Sequence, residues 1–395
     1  MKKISIITLY YNNNNYGGAL QSYALCKIID NGLYDVKQIS YNITSTNSMK
    51  LQKLFCCDCK QTFNRAKKYL YRKCKIIICQ LLFGKYNKEI DRRNHAIGNF
   101  AHNFIPHSNE IYNAQTIASC IDDYDIFITG SDQVWNPEWY YDAYFLSFVP
   151  SNKIKLSYAA SISQNELTHE QLAIFKNSLK DYTAISVRED NAVDLIQDVS
   201  PVRVEVTLDP TLLLSQSEWD EICTERIIGD NYVFCYFLGD DTNERRVAEQ
   251  FSEKHGIKIV TFPHLLGRFR KCDKSFGDYK LYDISPAQFL SLIKYAEYVF
   301  TDSFHATVFS SIFQKQYFTF ERIEFKSMGS RIYSLCNMLE SDERFCDTAP
   351  KATLEYIEAL DDIDYTKPLS KLESMKEKSM DFLLSNLSKC RESNT

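Results

Sequence analysis

No stretch of this sequence is both apolar and long enough to cross a bilayer, which takes about 20 residues. The formal net charge is only −5, so bulk electrostatics does not point to nucleic acid as a partner. There is no G-x-G-x-x-G fingerprint and no P-loop, which removes the usual sequence warrant for a bound nucleotide. A G-x-S-x-G elbow and a nucleophilic-cysteine signature are missing as well. Thirteen cysteines are present but scattered, the usage expected of reduced thiols in a cytoplasm. Cys56, Cys57, Cys59, Cys74 and Cys79 crowd together, yet their spacing fits no zinc pattern and no histidine is placed to complete one. No metal and no cofactor are therefore expected. The opening MKKISIITLYYNN has too short an apolar run for a secretory signal and reads as a first strand.

What remains is an ordinary globular composition with one excess. The 395 residues are 45% hydrophobic and 25% charged, enough to bury two or three domains at roughly 150 residues each. Tyr (26) and Phe (25) are unusually frequent. Such rings combine apolar area with polar handles, a combination that sugar-handling clefts use.

Along the chain, short apolar runs alternate with helical patterns. KKISIITLY (2–10) reads as a strand, and NNNNYGGALQSYALCKII (12–29) passes from turn residues into a helix with Leu20, Ala24 and Ile28 on one stripe. DVKQISY (35–41) is a second strand, and Gly32 can end the helix before it. Residues 50–93 carry 13 Lys or Arg against three acids. They suggest an amphipathic helical excursion, about 46–110, with a basic face that is either simply solvated or turned to an anionic glycan or lipid headgroups.

Strands follow at 123–130, 153–161, 183–189 and 202–210, with a helix at 168–179 capped by Thr168. Ser215 and Glu218 form a capping-box pattern. A second unit begins near 230: strand 231–238, helix 240–256, strand 257–263, a loop-like stretch 264–284, and a helix opened by Ser285-Pro286. Then come strand YVFT, the turn DSF, a helix carrying His305, strand QYFTF, helices near 328–340 and 351–361, and a polar helical tail. The alternation predicts an α/β protein with two Rossmann-like parallel-sheet domains facing a cleft, at 1–225 and 226–365, and a tail at 366–395. In such sheets ligands gather beyond the carboxyl ends of the strands.

The residues at those ends are the candidates. Gly17 and Gly18 let backbone approach a ligand at a helix N-terminus, or simply make a tight turn. Asp132 can serve as general base or hydroxyl acceptor, or cap a turn. Trp135 can stack on a sugar or fill the core. Arg188 can hold a carboxylate or phosphate through two parallel hydrogen bonds, or pair with Glu189 or Asp190 at the surface. His305 stands beside Asp302, Ser303 and Thr307 in a strand-to-helix turn, where it is either a packed structural residue or an acid aimed into the cleft.

Taken in order, NYGGALQSYAL (15–25), GSDQVWN (130–136), SYAAS (157–161), SVRED (186–190), LDPTLLL (208–214) and TDSFHATVFS (301–310) resemble the polysaccharide pyruvyl transferase family over about residues 4–340. The resemblance implies a glycosyltransferase-B-like pair of domains. It implies transfer of a pyruvyl group from phosphoenolpyruvate onto two hydroxyls of a sugar, giving a cyclic ketal. It implies that His305 matches the family's active-site histidine and Arg188 an arginine near the donor.

Some relatives carry Arg-Leu-His where this chain has Ser303-Phe304-His305, so a donor cation must come from elsewhere. Arg322 and Arg331, with Lys326 between them, are the nearest candidates, and helix or surface pairing is the plain reading of both arginines. The donor set expected is Arg188, Ser303, Arg322 and Arg331. The catalytic pair is His305 as acid and Asp132 as base. Asn15, Gly17, Gly18, Gln21, Ser131, Gln133, Trp135 and Asn136 are the substrate candidates. The partners are phosphoenolpyruvate and a sugar or lipid-linked oligosaccharide, in the cytoplasm and, through residues 50–93, at the inner membrane face. A nucleotide-sugar glycosyltransferase and a non-catalytic glycan-binding protein are the alternatives.

Overall fold

A computed structural model describes residues 1–30, 32–43, 84–139, 141–267, 269–322, 329–367 and 369–392. The basic segment up to residue 83 and its five cysteines lie outside the described residues, as does Lys326. Cys26, Cys120, Cys223, Cys235, Cys272, Cys336 and Cys346 are free thiols.

The first unit is a seven-stranded sheet built from β1 (Lys2–Ile7), β2 (Tyr34–Tyr41), β3 (His107–Tyr112), β4 (Ile126–Thr129), β5 (Ile154–Ala160), β6 (Ala184–Val187) and β7 (Val204–Val206). Their spatial order is 3-2-1-4-5-6-7, and all pairings are parallel. The crossovers carry α1 (Tyr16–Ile29), α2 (Gly84–Phe104), α3 (His169–Leu179) and α4 (Asp190–Ile196). The short α5 (Gln216–Asp220) leads into the second unit, whose strands are β8 (Tyr232–Tyr236), β9 (Lys258–Thr261), β10 (Tyr279–Lys280), β11 (Tyr298–Thr301), β12 (Gln316–Phe320) and β13 (Phe345–Cys346). They lie in the order 10-9-8-11-12-13, again all parallel. Helices α6 (Thr242–His255), α7 (Pro286–Lys294), α8 (Phe304–Ile312), α9 (Gly329–Met338) and α10 (Leu354–Glu358) belong to this unit, and α11 (Ser370–Glu392) ends the chain.

Both sheets are doubly wound, and each has its switch point where the chain reverses, between β1 and β4 and between β8 and β11. The central strands are covered on both faces. That is why β4 (IFIT) and β8 (YVFCY) are continuous, fully buried runs rather than alternating ones. The helix starts follow the expected chemistry. Thr168 with Gln171, Ser215 with Glu218 and Ser285 with Gln288 each form a complete capping box.

Three strands were not legible. β3 reads HSNEIY, a polar edge strand with no apolar period. β10, inside the stretch expected to be a loop, and β13 are two residues each. The tail differs too. Leu372, Phe382, Leu383 and Leu387 of α11 are buried, so this helix is amphipathic. It returns to the first unit, where Ser379 Oγ accepts a hydrogen bond from the Leu208 backbone N–H at 2.9 Å.

The two units are joined by packing. Tyr16, in the first turn of α1, donates its hydroxyl to the Ile284 carbonyl at 2.8 Å and stacks on Phe289 of α7. Arg93 of α2 donates to the carbonyls of Pro263 and Leu281 at 3.0 and 3.3 Å. No helix among the described residues is long and apolar enough to cross a membrane.

Candidate active site

Four strand ends of one unit and one of the other deliver their side chains to one place. From the first unit come Gly17 after β1, Ser131 to Gln133 after β4, Arg188 after β6 and Asp209 after β7. From the second comes His305, in the first turn of α8 after β11. The imidazole lies against the glycine: a Cβ on Gly17 would fall 2.0 Å from His305 Nδ1.

Asp209 is fully buried and central. Its Oδ2 accepts from Arg188 Nη1 at 2.7 Å and from Ser131 Oγ at 3.0 Å, and stands 3.6 Å from His305 Nε2. Its Oδ1 accepts from the Thr211 N–H at 3.1 Å and Oγ1 at 2.7 Å. Burial pushes the Asp209 carboxyl up, but His305, Arg188 and Thr211 outweigh it and hold the group far below the usual carboxylate range. Arg188 also reaches Asp132 Oδ1 and Glu189 Oε1, each at 3.6 Å, and its guanidinium lies 4.5 Å over the Phe304 ring. Burial would lower its pKa; Asp209, Glu189 and Asp132 reverse that and raise it. Glu189 is itself held by the Ser161 hydroxyl and the Ile162 N–H.

Arg331 of α9 completes the group. It is buried. Gln133, with its amide oxygen turned inward, accepts from Arg331 Nη1 and Nη2 at 3.0 and 2.8 Å and from Ser163 Oγ at 3.2 Å. Burial, reinforced by the like charge of Arg188, pulls the Arg331 pKa down to about 9.

The cluster is not self-satisfied. Arg188 Nε and Nη2, Arg331 Nε and His305 Nε2 are all buried without a hydrogen-bond partner. An unmade buried hydrogen bond costs about 1–3 kcal/mol, more at a charged group; Arg188 Nε and Nη2 and His305 Nε2 each face a carboxylate only at 3.6 Å, so the site keeps donors that a bound anion could complete. Among the described residues no group of metal-ligating side chains is found.

The expected residues divide accordingly. His305, Arg188, Asp132, Ser131, Gln133, Arg331 and Gly17 converge. Three do not serve as substrate contacts. Trp135 is wholly buried, stacked on Phe145 at 5.6 Å, with its Nε1 donating to the Tyr144 carbonyl; it is core, because no face of it meets solvent. Gln21 is wholly buried and donates to Thr8 Oγ1 and the Gly18 carbonyl, each at 3.1 Å, so it braces the loop after β1. Asn136 is buried and caps its own turn through the Glu138 N–H.

Gly18 is required by the turn, since a Cβ there would meet the Leu9 carbonyl at 2.6 Å. Asn15 is the N-cap of α1. Ser303 is the N-cap of α8, and Arg322 pairs at 3.7 Å with Asp302. Asp302 in turn accepts from the Leu238 and Gly239 N–H groups and so ties the second switch point together. Asp209, quoted within a motif, was given no role in sequence; Glu189 was offered as a surface partner of Arg188, and it does pair with it, but in the buried interior. Only the position of Asp209 just beyond β7 could have marked it.

Two doubly wound sheets meeting at their carboxyl edges define a glycosyltransferase-B-like protein. Among solved structures, UDP-GlcNAc 2-epimerase from Methanocaldococcus jannaschii is similar at TM-score 0.54 and 12% identity, covering 98% of this chain and 99% of that one. UDP-GlcNAc 2-epimerase from Neisseria meningitidis, bound to UDP-GlcNAc, aligns at TM-score 0.49 and 10% identity over 98% and 100%. At such identities the likeness concerns the fold alone, and the first of the two carries it. The chain belongs to the polysaccharide pyruvyl transferase family, whose profile matches residues 15–322, most of its length. No curated protein matches it.

Proposed function

We propose that this protein transfers a pyruvyl group from phosphoenolpyruvate onto two hydroxyls of one sugar, in a polysaccharide or its lipid-linked precursor, forming a cyclic ketal and releasing phosphate. The observation that supports this reading best is the set of orphaned cationic nitrogens around His305, in a chain of a pyruvyl-transferring family. Phosphoenolpyruvate brings a carboxylate and a phosphate, the groups such nitrogens complement.

In the proposed reaction a sugar hydroxyl attacks C2 of the donor while His305 gives a proton to the C3 methylene, which becomes the methyl group. Asp132 takes the hydroxyl proton. The C2–O bond to phosphate then breaks, and the second hydroxyl adds to C2 and closes the ring, its proton leaving with phosphate. Arg188, Arg331 and, further out, Arg322 and the Ser303-capped start of α8 provide the positive field for the donor. Work in the cytoplasm, at the inner membrane face, is part of the same proposal; so is the absence of any cofactor.

The test is incubation with phosphoenolpyruvate and a panel of glycans, following phosphate release and product mass. Wild-type protein releases phosphate stoichiometrically with pyruvylated glycan, and His305→Gln loses about 10²–10⁴-fold of that rate. Protection against heat by nucleoside diphosphates with no response to phosphoenolpyruvate would instead favour a nucleotide-sugar enzyme. Retained glycan binding with no small-anion binding would favour a non-catalytic protein.

A further inference from the structure

The two switch points differ in what their own side chains leave open. Around the first, nitrogens of Arg188 and His305 lack a hydrogen-bond partner. At the second, the turn Leu238-Gly239-Asp240-Asp241 leads from β8 into α6. It stands where doubly wound sheets receive phosphate, at the carboxyl end of a strand beside the switch and before a helix N-terminus. Two successive backbone N–H groups, those of Leu238 and Gly239, converge there as in an anion-binding nest.

That nest is filled from within. Asp302, just beyond β11, is fully buried. Its Oδ1 accepts from the Leu238 N–H at 2.7 Å and its Oδ2 from the Gly239 N–H at 2.6 Å, short as charge-assisted bonds are. Arg322 Nε stands 3.7 Å from the same Oδ2, so the anion has its cation as well. The space is closed over: a Cβ on Gly239 would lie 3.0 Å from Asp302 Oδ2 and 3.3 Å from Arg322 Cγ.

The rest of the turn is engaged too. The Gly239 carbonyl accepts from Arg245 Nη2 and Arg270 Nη1, both at 3.0 Å. Asp241 caps α6 by accepting from the Asn243 N–H at 2.8 Å, which leaves that donor facing one of the chain's own carboxylates. A phosphate arriving here would find its donors taken and three like charges, Asp302, Asp240 and Asp241, around it. Asp302 also competes as a tethered ligand, at an effective concentration that a free one does not reach.

We propose that Asp302 is a built-in anion occupying the phosphate position of the second unit, and that it is the specificity element that keeps nucleoside diphosphates out of this protein. The inference narrows the substrate class and does not depend on the chemistry of the reading above.

The experiment has two arms. Folded wild-type protein is titrated calorimetrically with ADP and with UDP, and no saturable binding is expected up to millimolar concentration. Melting temperatures are then measured for wild type, Asp302→Ala and Asp302→Asn in formate and in chloride of equal ionic strength. Asp302→Ala should melt several degrees lower. Formate, which supplies the carboxylate that the substitution removes, should raise it progressively toward wild type, as a ligand of the native state does; chloride should not. Asp302→Asn keeps the side chain's bulk and leaves no vacancy, so formate should move it no more than it moves wild type.

Wild-type binding of either diphosphate with Kd below about 1 mM overturns the proposal. So does formate that fails to fold or stabilise Asp302→Ala beyond chloride, or that stabilises all three proteins equally. Phosphate release from phosphoenolpyruvate, followed on the same wild-type protein, keeps the two readings apart. Diphosphate binding alongside that turnover removes the inference and leaves pyruvyl transfer. Formate rescue without diphosphate binding, and without turnover on any glycan, does the reverse.

Discussion

Gly17 and His305 touch across the cleft: one belongs to the first turn of α1 in the first unit, the other to the first turn of α8 in the second, and a Cβ on Gly17 would stand 2.0 Å from the imidazole Nδ1. Gly17→Ala should favour the helix by up to about 1 kcal/mol in itself, yet it must displace the ring. The expected outcome is a loss of turnover of about tenfold or more with a melting temperature changed by only a few degrees. Gly98→Ala is the control. Gly98 lies within α2, is exposed, and has nothing within 4 Å of an added Cβ, so that variant should keep full activity. Equal activity in both variants would remove the ring's position from the mechanism.

Asp209 sets the charge balance of the site. Its carboxyl is depressed, so its contribution to stability is fully present above the unfolded carboxyl value of about 3.9 and fades only as pH falls from there toward the native value. Asp209→Asn keeps the shape and the Thr211 bonds but leaves Arg188 and His305 facing an uncharged group. A loss of about 3 kcal/mol or more is expected. The difference from wild type should narrow in strong acid, as the Asp209 carboxylate of the wild type is protonated. Denaturant unfolding across pH checks it, and a difference that instead grew on acidification would contradict the assignment.

Much of this was readable because doubly wound sheets write themselves plainly: buried strands such as IFIT and YVFCY are unbroken apolar runs, and Thr168, Ser215 and Ser285 mark helix starts by local chemistry. The strand-end rule then brought Arg188 and His305 together from 117 positions apart in sequence, 188 to 305. What sequence could not show is orientation. Trp135 and Gln21 sit in the same motifs as Asp132 and Gly17, yet they point into the core, because the loop after β4 and the start of α1 each present one side to the cleft and the other to packed neighbours. Asp209 was opaque for a related reason. Nothing local in LDPT distinguishes a carboxylate that only caps Thr211 from one that also meets Arg188 and His305 from distant strands.

The last helix holds the Asp209 turn from behind. Ser379 of α11 accepts from the Leu208 N–H at 2.9 Å, while the Tyr158 hydroxyl donates to the Leu208 carbonyl at 3.1 Å. Ser379→Ala leaves a buried N–H without an acceptor, at a cost of about 1–3 kcal/mol. We expect a lower melting temperature, together with a fall in turnover that Ser379→Thr, which keeps the hydroxyl, largely restores. Unchanged turnover in Ser379→Ala would show that α11 stabilises the fold without positioning the site.

A second buried polar group, remote from the reacting centre, should govern acid stability. His264 follows β9. Its backbone N–H donates to Asp273 Oδ2 at 2.8 Å, and its Nδ1 accepts from the Arg270 N–H at 3.2 Å, which calls for the neutral ring. Burial lowers its pKa to about 4; Asp273 opposes the shift, while Arg270, Arg93 and Lys280 add to it. A histidine depressed in the native state binds its proton first in the unfolded chain. Stability is therefore full above the unfolded value of about 6.5 and is lost as pH falls from there toward about 4, by a few kcal/mol. His264→Asn should flatten that loss. Asparagine can accept from Arg270 in place of Nδ1, and it tolerates the positive φ of 56° at this position. Unfolding free energies at about pH 7 and pH 4.5, on either side of most of the histidine transition, are the measurement. Wild type should fall between them by more than the variant does, and equal falls would place the acid sensitivity elsewhere.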